Sequence, residues 1–189
     1  MGMIERTLVL IKPDGVQRGL AGEILGRFEK RGIKIIGMKM VHINRDFAEK
    51  HYPKDMAKMF GKKTLEGIKE FGLNTNKSER ELGEKTWEDL INFITESPVV
   101  AMVLEGVHAI KNVRAMVGST SPHEALPGTI RGDYAHASMT YSSITGTGGR
   151  NVVHASASAE DAKREIALWF KPEELHEYKR ADEFHTTGG

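Results

Sequence analysis

The chain opens on a nearly continuous apolar run: in ERTLVLIKPDG (5–15), Leu8 to Ile11 lead into Pro13 and Gly15. Aliphatic and β-branched residues favour a strand, and proline then removes a ladder donor while glycine permits a turn. The pattern predicts a strand ending at Ile11, with Lys12 at its mouth. In LAGEILGRFEKRG (20–32), Leu20, Ile24, Leu25 and Phe28 recur at helical spacing and Gly32 offers a stop. The alternation in IKIIGMKMVHI (33–43) predicts a second strand.

From Asp46 to Thr95 the pattern is helical but irregular. It predicts short helices in DFAEKHY (46–52), KDMAKMF (54–60) and TWEDLINFI (86–94), with the polar stretch LNTNKSERELGEK (73–85) as an exposed excursion. PVVAMVLEG (98–106) predicts a third strand, and HAIKNVRAMVG (108–118) a helix closed by Gly118. Residues 119–150 read as a long loop before the short strand NVVHA (151–155). Ser158 with Asp161 then marks the capped start of a helix through EDAKREIALWF (160–170). This order suits an α/β (α+β) fold: a ferredoxin-like split βαβ, with a four-stranded antiparallel sheet and helices on one face. One domain over 1–189 is expected, with insertions around 60–85 and 135–149.

Composition changes this picture mainly by exclusion. A net charge of +1 over 189 residues does not favour a dedicated nucleic-acid binder or a polybasic membrane anchor. The apolar runs are too short to span a bilayer, and no signal-peptide pattern opens the chain. The absence of cysteine excludes disulfides, thiolate catalysis and cysteine zinc sites. A cytoplasmic protein is therefore expected. There is no P-loop, dinucleotide turn, zinc helix or protein-kinase motif, and Gly146, Gly148 and Gly149 fit turn chemistry.

Candidate chemistry lies in a few polar residues in apolar settings. Ala162, Glu165, Ile166 and Trp169 share one helical face, so Glu165 should point inward, where a carboxylate needs a partner. Either it forms a core salt bridge, or it orients His154 and Ser156; the spacing leaves both open. Arg114 sits beside the stripe Ile110, Val113 and Val117, where outward snorkelling is the ordinary expectation. Arg131 lies in PGTIRGD, whose proline and glycines favour a binding loop. Lys12, Arg114 and Arg131 together suit a phosphate-bearing small molecule. His42, His51, His108, His123, His136, His176 and His185 show no paired metal spacing and are read as surface or packing residues.

Taken together, ERTLVLIKPDGVQRGLAGEIL, EKHY, PVVAMVLEG, VRAMVGST, PGTIRGDY, NVVHAS and KREIALWFKPEEL resemble the nucleoside diphosphate kinase family, in matching order over most of the chain. The resemblance implies a ping-pong exchange in which His154 takes the γ-phosphoryl group of a nucleoside triphosphate as a pros-phosphohistidine and passes it to a nucleoside diphosphate. It places Lys12 on the transferred phosphate and ribose, Tyr52 beside the histidine, and Arg114, Thr120 and Arg131 on the phosphates. Asn151 would bond the sugar, and Ser156 and Glu165 would align His154. Magnesium would arrive with the nucleotide, and a homo-oligomer is implied, a hexamer or alternatively a tetramer.

The chain also departs from the family pattern. Ala157 stands where an aspartate is usual, and Gly148 where a small aliphatic residue often touches the base. The base-stacking position falls on Thr86 or Trp87, with Phe60 as a substitute. These departures carry the rival reading, a nucleotide-binding regulatory protein without turnover. A nucleic-acid-binding role for KDMAKMFGKKTLEGIKEFG (54–72) is weaker, because that spacing describes an ordinary amphipathic surface helix.

Overall fold

The computed structural model describes residues 3–188. Strand β1 (Ile4–Ile11) leads into the one-turn helix α1 (Pro13–Gln17), helix α2 (Ala21–Lys30) and strand β2 (Lys34–Val41). Helices α3 (Arg45–His51), α4 (Met56–Glu70) and α5 (Glu79–Ile94) precede β3 (Val99–Val107) and α6 (Ala109–Val117). Two short helices follow, α7 (Ile130–Tyr134) and α8 (Met139–Thr145), then β4 (Val153–Ala155) and α9 (Ala159–Trp169). A last short helix, α10 (Glu183–Thr186), lies near the end of the chain.

The four strands form one sheet in the order β2-β3-β1-β4, with every neighbouring pair antiparallel. β1 and β2 therefore run in the same direction with β3 between them, which is the split βαβ arrangement. The helices, however, cover both faces, not one. Leu8 and Leu10 pack with Trp87, Ile91, Ile94 and Trp169, on the side of α5 and α9. Val9 and Ile11 pack with Ile24, Phe28, Val113 and Val117, on the side of α2 and α6. All four β1 residues are fully buried, which explains why this strand is a continuous apolar run and not an alternating one. Each such side chain contributes about 1.5–3 kcal/mol of apolar burial.

The middle of the chain is more helical than its composition predicts. α4 continues past Phe60 to Glu70, and the polar stretch 73–85 is an excursion only up to Ser78. Ser78 and Glu81 form a reciprocal capping box, so ERELGEK is the first half of α5. α4 and α5 cross closely at two glycines: a Cβ on Gly61 would stand 2.1 Å from Glu79 O, and one on Gly83 2.1 Å from Ala57 O. The segment 119–150 is likewise not one loop. Thr129 and Ser138 cap α7 and α8 through their side-chain oxygens, and α8 packs on α4 where Gly67 meets Thr140.

Candidate active site

Four parts of the fold meet at the C-terminal end of β1. Lys12 follows β1 directly, with its main-chain N–H bonded to Val152 O at 2.8 Å. His154 lies on β4 opposite Leu10 in the register. Glu165 comes from the inner face of α9, and Arg131 from the first turn of α7. Lys12, His154 and Arg131 line a cleft of about 390 Å3, together with Tyr52, Arg114, Thr120 and Asn151, while Glu165 lies behind His154. That volume suits a small-molecule ligand.

His154 Nε2 stands 3.0 Å from Glu165 Oε2, and the Ser156 hydroxyl donates to the same oxygen at 2.7 Å. Ser156 Oγ in turn accepts from Leu8 N at 3.2 Å, so this pair is fastened to β1. Glu165 is 4% exposed and Ser156 is fully buried. Of the two roles left open for Glu165, the geometry matches orientation of an imidazole: the carboxylate holds one ring nitrogen, leaving Nδ1 as the ring's other nitrogen in a residue that lines the cleft.

The chain segment before His154 is bent sharply. Val152 has φ 70°, and Val153 N donates to Asn151 O at 2.8 Å. This is the strained form of γ-turn, rare for a β-branched residue and costing about 1–3 kcal/mol. Val152 N donates to Asp14 Oδ2 at 3.0 Å, and Val152 O accepts from Lys12, so both its polar groups hold the bend. Gly15 permits the close approach, since a Cβ there would lie 2.8 Å from Ile11 Cγ2 and 3.0 Å from Val152 O.

The cations differ in character. Lys12 Nζ donates to Asn151 Oδ1 at 2.7 Å; burial lowers its pKa to about 8, opposed by Asp14 and assisted by Arg131. Arg131 spends its donors on the backbone: Nε on Asn151 O, Nη1 on Gly118 O and Ser119 O, and Nη2 on Val153 O at 2.7 Å. With five N–H groups on a guanidinium, one on Nη2 remains for a ligand. Burial, above all, lowers its pKa to about 10, which still leaves it charged at neutral pH. Arg114 is exposed yet lines the cleft, so it faces the site and does not merely snorkel. Asn151 Nδ2 donates to Thr120 O at 2.8 Å, tying that loop to the same corner. Desolvation raises the pKa of the buried Tyr52 phenol, keeping it neutral.

Thr86 lines the cleft, but Trp87 does not. Trp87 is 2% exposed within the core, where its Nε1 donates to Tyr52 O at 2.8 Å. Phe60 does line the cleft, along with Met59, Leu90 and Met139. Gly148 is not at the cleft wall either: its φ is 70° and a Cβ there would lie 2.3 Å from Phe93 Cβ. Met139, Thr140 and Ser143 of α8 line the cleft in its place; they carry no sequence signal, because the segment that forms α8 reads as a loop.

Among the described residues, no acidic side chain belongs to the cleft lining. Among the described residues, the group suited to a metal is His51, His154 and Glu165, whose ligand atoms fall within 4.8 Å of one another. His51 Nδ1 already accepts from Trp169, and Glu165 Oε2 is held by Ser156 and His154.

A family model described as nucleoside diphosphate kinase matches residues 5–74 and 74–175. The chain belongs to the nucleoside diphosphate kinase family. It is 48% identical to the nucleoside diphosphate kinase of Pyrococcus furiosus over 98% of this chain and 95% of that one. Its fold is similar to the transition state mimic of nucleoside-diphosphate kinase from Borrelia burgdorferi with bound vanadate and ADP, at TM-score 0.85 and 39% identity over all of both chains. It is also similar to the nucleoside diphosphate kinase of Halobacterium salinarum in complex with CDP, at TM-score 0.72 and 36% identity over 96% and 97% of the two chains. Among the described residues, no helix is long and apolar enough to cross a membrane.

Proposed function

We propose that the chain is an active nucleoside diphosphate kinase working through His154. The observation that carries this reading is the pairing of His154 Nε2 with Glu165, behind a cleft whose lining among the described residues carries lysines and arginines and no carboxylate. The Nδ1 lone pair attacks the γ-phosphorus of a nucleoside triphosphate, and the bond from that phosphorus to the bridging oxygen breaks. The diphosphate leaves with the electrons of that bond. A second diphosphate then attacks the phosphohistidine through a terminal β-phosphate oxygen, and the N–P bond breaks. Nε2–H stays on Glu165 throughout and stabilises the positive charge that the ring gains while it is phosphorylated.

Lys12, Arg114, Arg131 and Thr120 hold the phosphates and Asn151 holds Lys12 and the sugar, because phosphoryl transfer needs positioning and charge stabilisation more than covalent activation. Phe60, instead of Trp87, stacks on the base. Magnesium would enter with the nucleotide substrate and supply charge neutralisation at its phosphates, which fits a lining that, among the described residues, has no acid to hold it. Residues 1–189 form one domain with insertions around 60–85 and 135–149, acting in the cytoplasm. Edge strand β2 exposes Met38 and Met40, at 54% and 62%, which supports assembly as a homo-oligomer, a hexamer or alternatively a tetramer.

The test is phosphorylation of wild type and His154→Ala by ATP, followed by intact mass and a chase with GDP. Acid-labile phosphate on wild type alone, discharged into GTP, is the expected result. Nucleotide binding without labelling of either protein overturns the proposal in favour of a regulatory nucleotide binder.

A further inference from the structure

His51 is a buried titratable ring that the reaction above does not use. It ends α3, is 1% exposed, and accepts a hydrogen bond at Nδ1 from Trp169 Nε1 at 3.2 Å. An indole N–H only donates, so Nδ1 carries the lone pair and the proton sits on Nε2. That Nε2 is buried with no hydrogen-bond partner, an arrangement that costs about 1–3 kcal/mol. The ring stands edge-on to His154, with centroids 4.7 Å apart at 81°. Tyr52 packs on both, at 4.3 Å from His51 and 6.0 Å from His154.

A phenylalanine of similar size would remove the unpaired Nε2–H but leave Trp169 Nε1–H without its acceptor, so neither ring pairs every donor and packing alone does not select an imidazole. A metal does not explain it either: tetrahedral zinc ligands stand roughly 3.4 Å apart, whereas this group spreads over up to 4.8 Å. What remains is its relation to His154 and Glu165. α3 supplies His51, β4 supplies His154, and α9 supplies both Glu165 and Trp169. The two histidines are therefore held by the same helix.

We propose that His51 is a positioning residue for phosphoryl transfer: locked by Trp169 as a neutral Nε2–H imidazole, it braces the His154 ring edge-on, keeping Nε2 on Glu165 and Nδ1 toward the cleft. Protonating His51 at Nδ1 would break the Trp169 bond and place a cation beside a ring that becomes positive as the N–P bond forms. Burial holds the His51 pKa well below the ordinary range, and the neighbouring His154, Arg164 and Lys12 act in the same direction. Tyr52, which stays neutral, and Glu165 also face it.

This inference rests on His154 being the phosphorylated residue. The experiment measures single-turnover phosphorylation by ATP, ADP affinity and the 15N imidazole spectrum of His154 in wild type, His51→Phe, His51→Gln and Trp169→Phe. His51→Phe is expected to slow phosphorylation at least about tenfold, the scale of a misplaced reacting group, with ADP affinity unchanged and His154 in mixed tautomers. His51→Gln, whose amide both accepts and donates, recovers most of the rate. Trp169→Phe loses activity selectively as the pH falls, because His51 is then free to take a proton.

A His51→Phe protein that reacts at the wild-type rate with a single His154 tautomer overturns the proposal. So does a loss that only tracks weaker ADP binding or a lower melting temperature in both His51 variants. A wild type that carries no phosphate on His154 overturns the parent reading and this one with it, whereas a labelled wild type with unimpaired His51→Phe overturns this one alone.

Discussion

Lys12 Nζ donates to Asn151 Oδ1 at 2.7 Å although Lys12 is only 5% exposed. Its pKa, lowered to about 8, makes the buried ammonium a pH-dependent phosphate ligand. ADP affinity should fall as the pH rises through 8, and Lys12→Gln should bind weakly with a flatter profile; calorimetric titration from pH 6.5 to 9.5 checks both. The stability effect has the opposite sense. Because the folded pKa lies below the unfolded value of 10.5, the cost of burying the charge is fully present below pH 8 and is relieved between about 8 and 10.5. That cost is about 3 kcal/mol, so Lys12→Met should raise the melting temperature at pH 7 while abolishing phosphate binding.

Glu165→Gln keeps the size of the side chain but loses the charge opposite His154 and Ser156. It should slow phosphorylation of His154 by about 10–100-fold, matching 1.4–2.8 kcal/mol of lost transition-state stabilisation, with nucleotide KM little changed. Ser156→Ala should cost less in rate and about 1–2 kcal/mol in stability, since Ser156 also ties β4 to β1. Single-turnover rates and urea melts separate the two effects.

Arg131 and Arg114 should respond differently to the same change. Arg131→Lys cannot replace donors directed at Gly118, Ser119, Asn151 and Val153, so it should lose about 3 kcal/mol of stability or more as well as nucleotide affinity. Arg114→Lys, at an exposed position, should leave the melting temperature unchanged and weaken only the nucleotide. Thermal melts with and without ADP report the difference.

Phe60 and Trp87 offer a similar contrast. Phe60→Ala should raise KM for all nucleotides by about tenfold or more, in line with 1–3 kcal/mol per stacked base, with little loss of stability. Trp87→Phe should leave KM alone and destabilise the fold, because it deletes the bond to Tyr52 O inside the core. The reverse pattern would return base stacking to Trp87.

Assembly through the β2 edge can be tested at Met40. Met40→Glu should shift sedimentation from a multiple of the 21.0 kDa chain towards smaller species, leaving α-helical circular dichroism intact. Unchanged sedimentation would show that β2 is not an assembly edge.

The sequence alone determined a good part of this protein. The apolar run at Leu8–Ile11, the stripe through Ala162, Glu165 and Trp169, and the stops at Pro13 and Gly118 all appear as strand, inward helical face and element ends. These are local features, set by side-chain spacing and backbone freedom, and they also carried the family resemblance. Tertiary structure decided which covering element each face meets. Phe60 and Trp87 both sit on helical patterns, and only the packing of α4 against α5 sends one to the cleft and the other to the core. His51 gave no signal because its partner, Trp169, is 118 residues away. Both faces of the sheet are covered, and α8 reaches the cleft, for the same reason: periodicity records which side of an element avoids water, whereas the partner on that side is chosen by the packing of the whole chain.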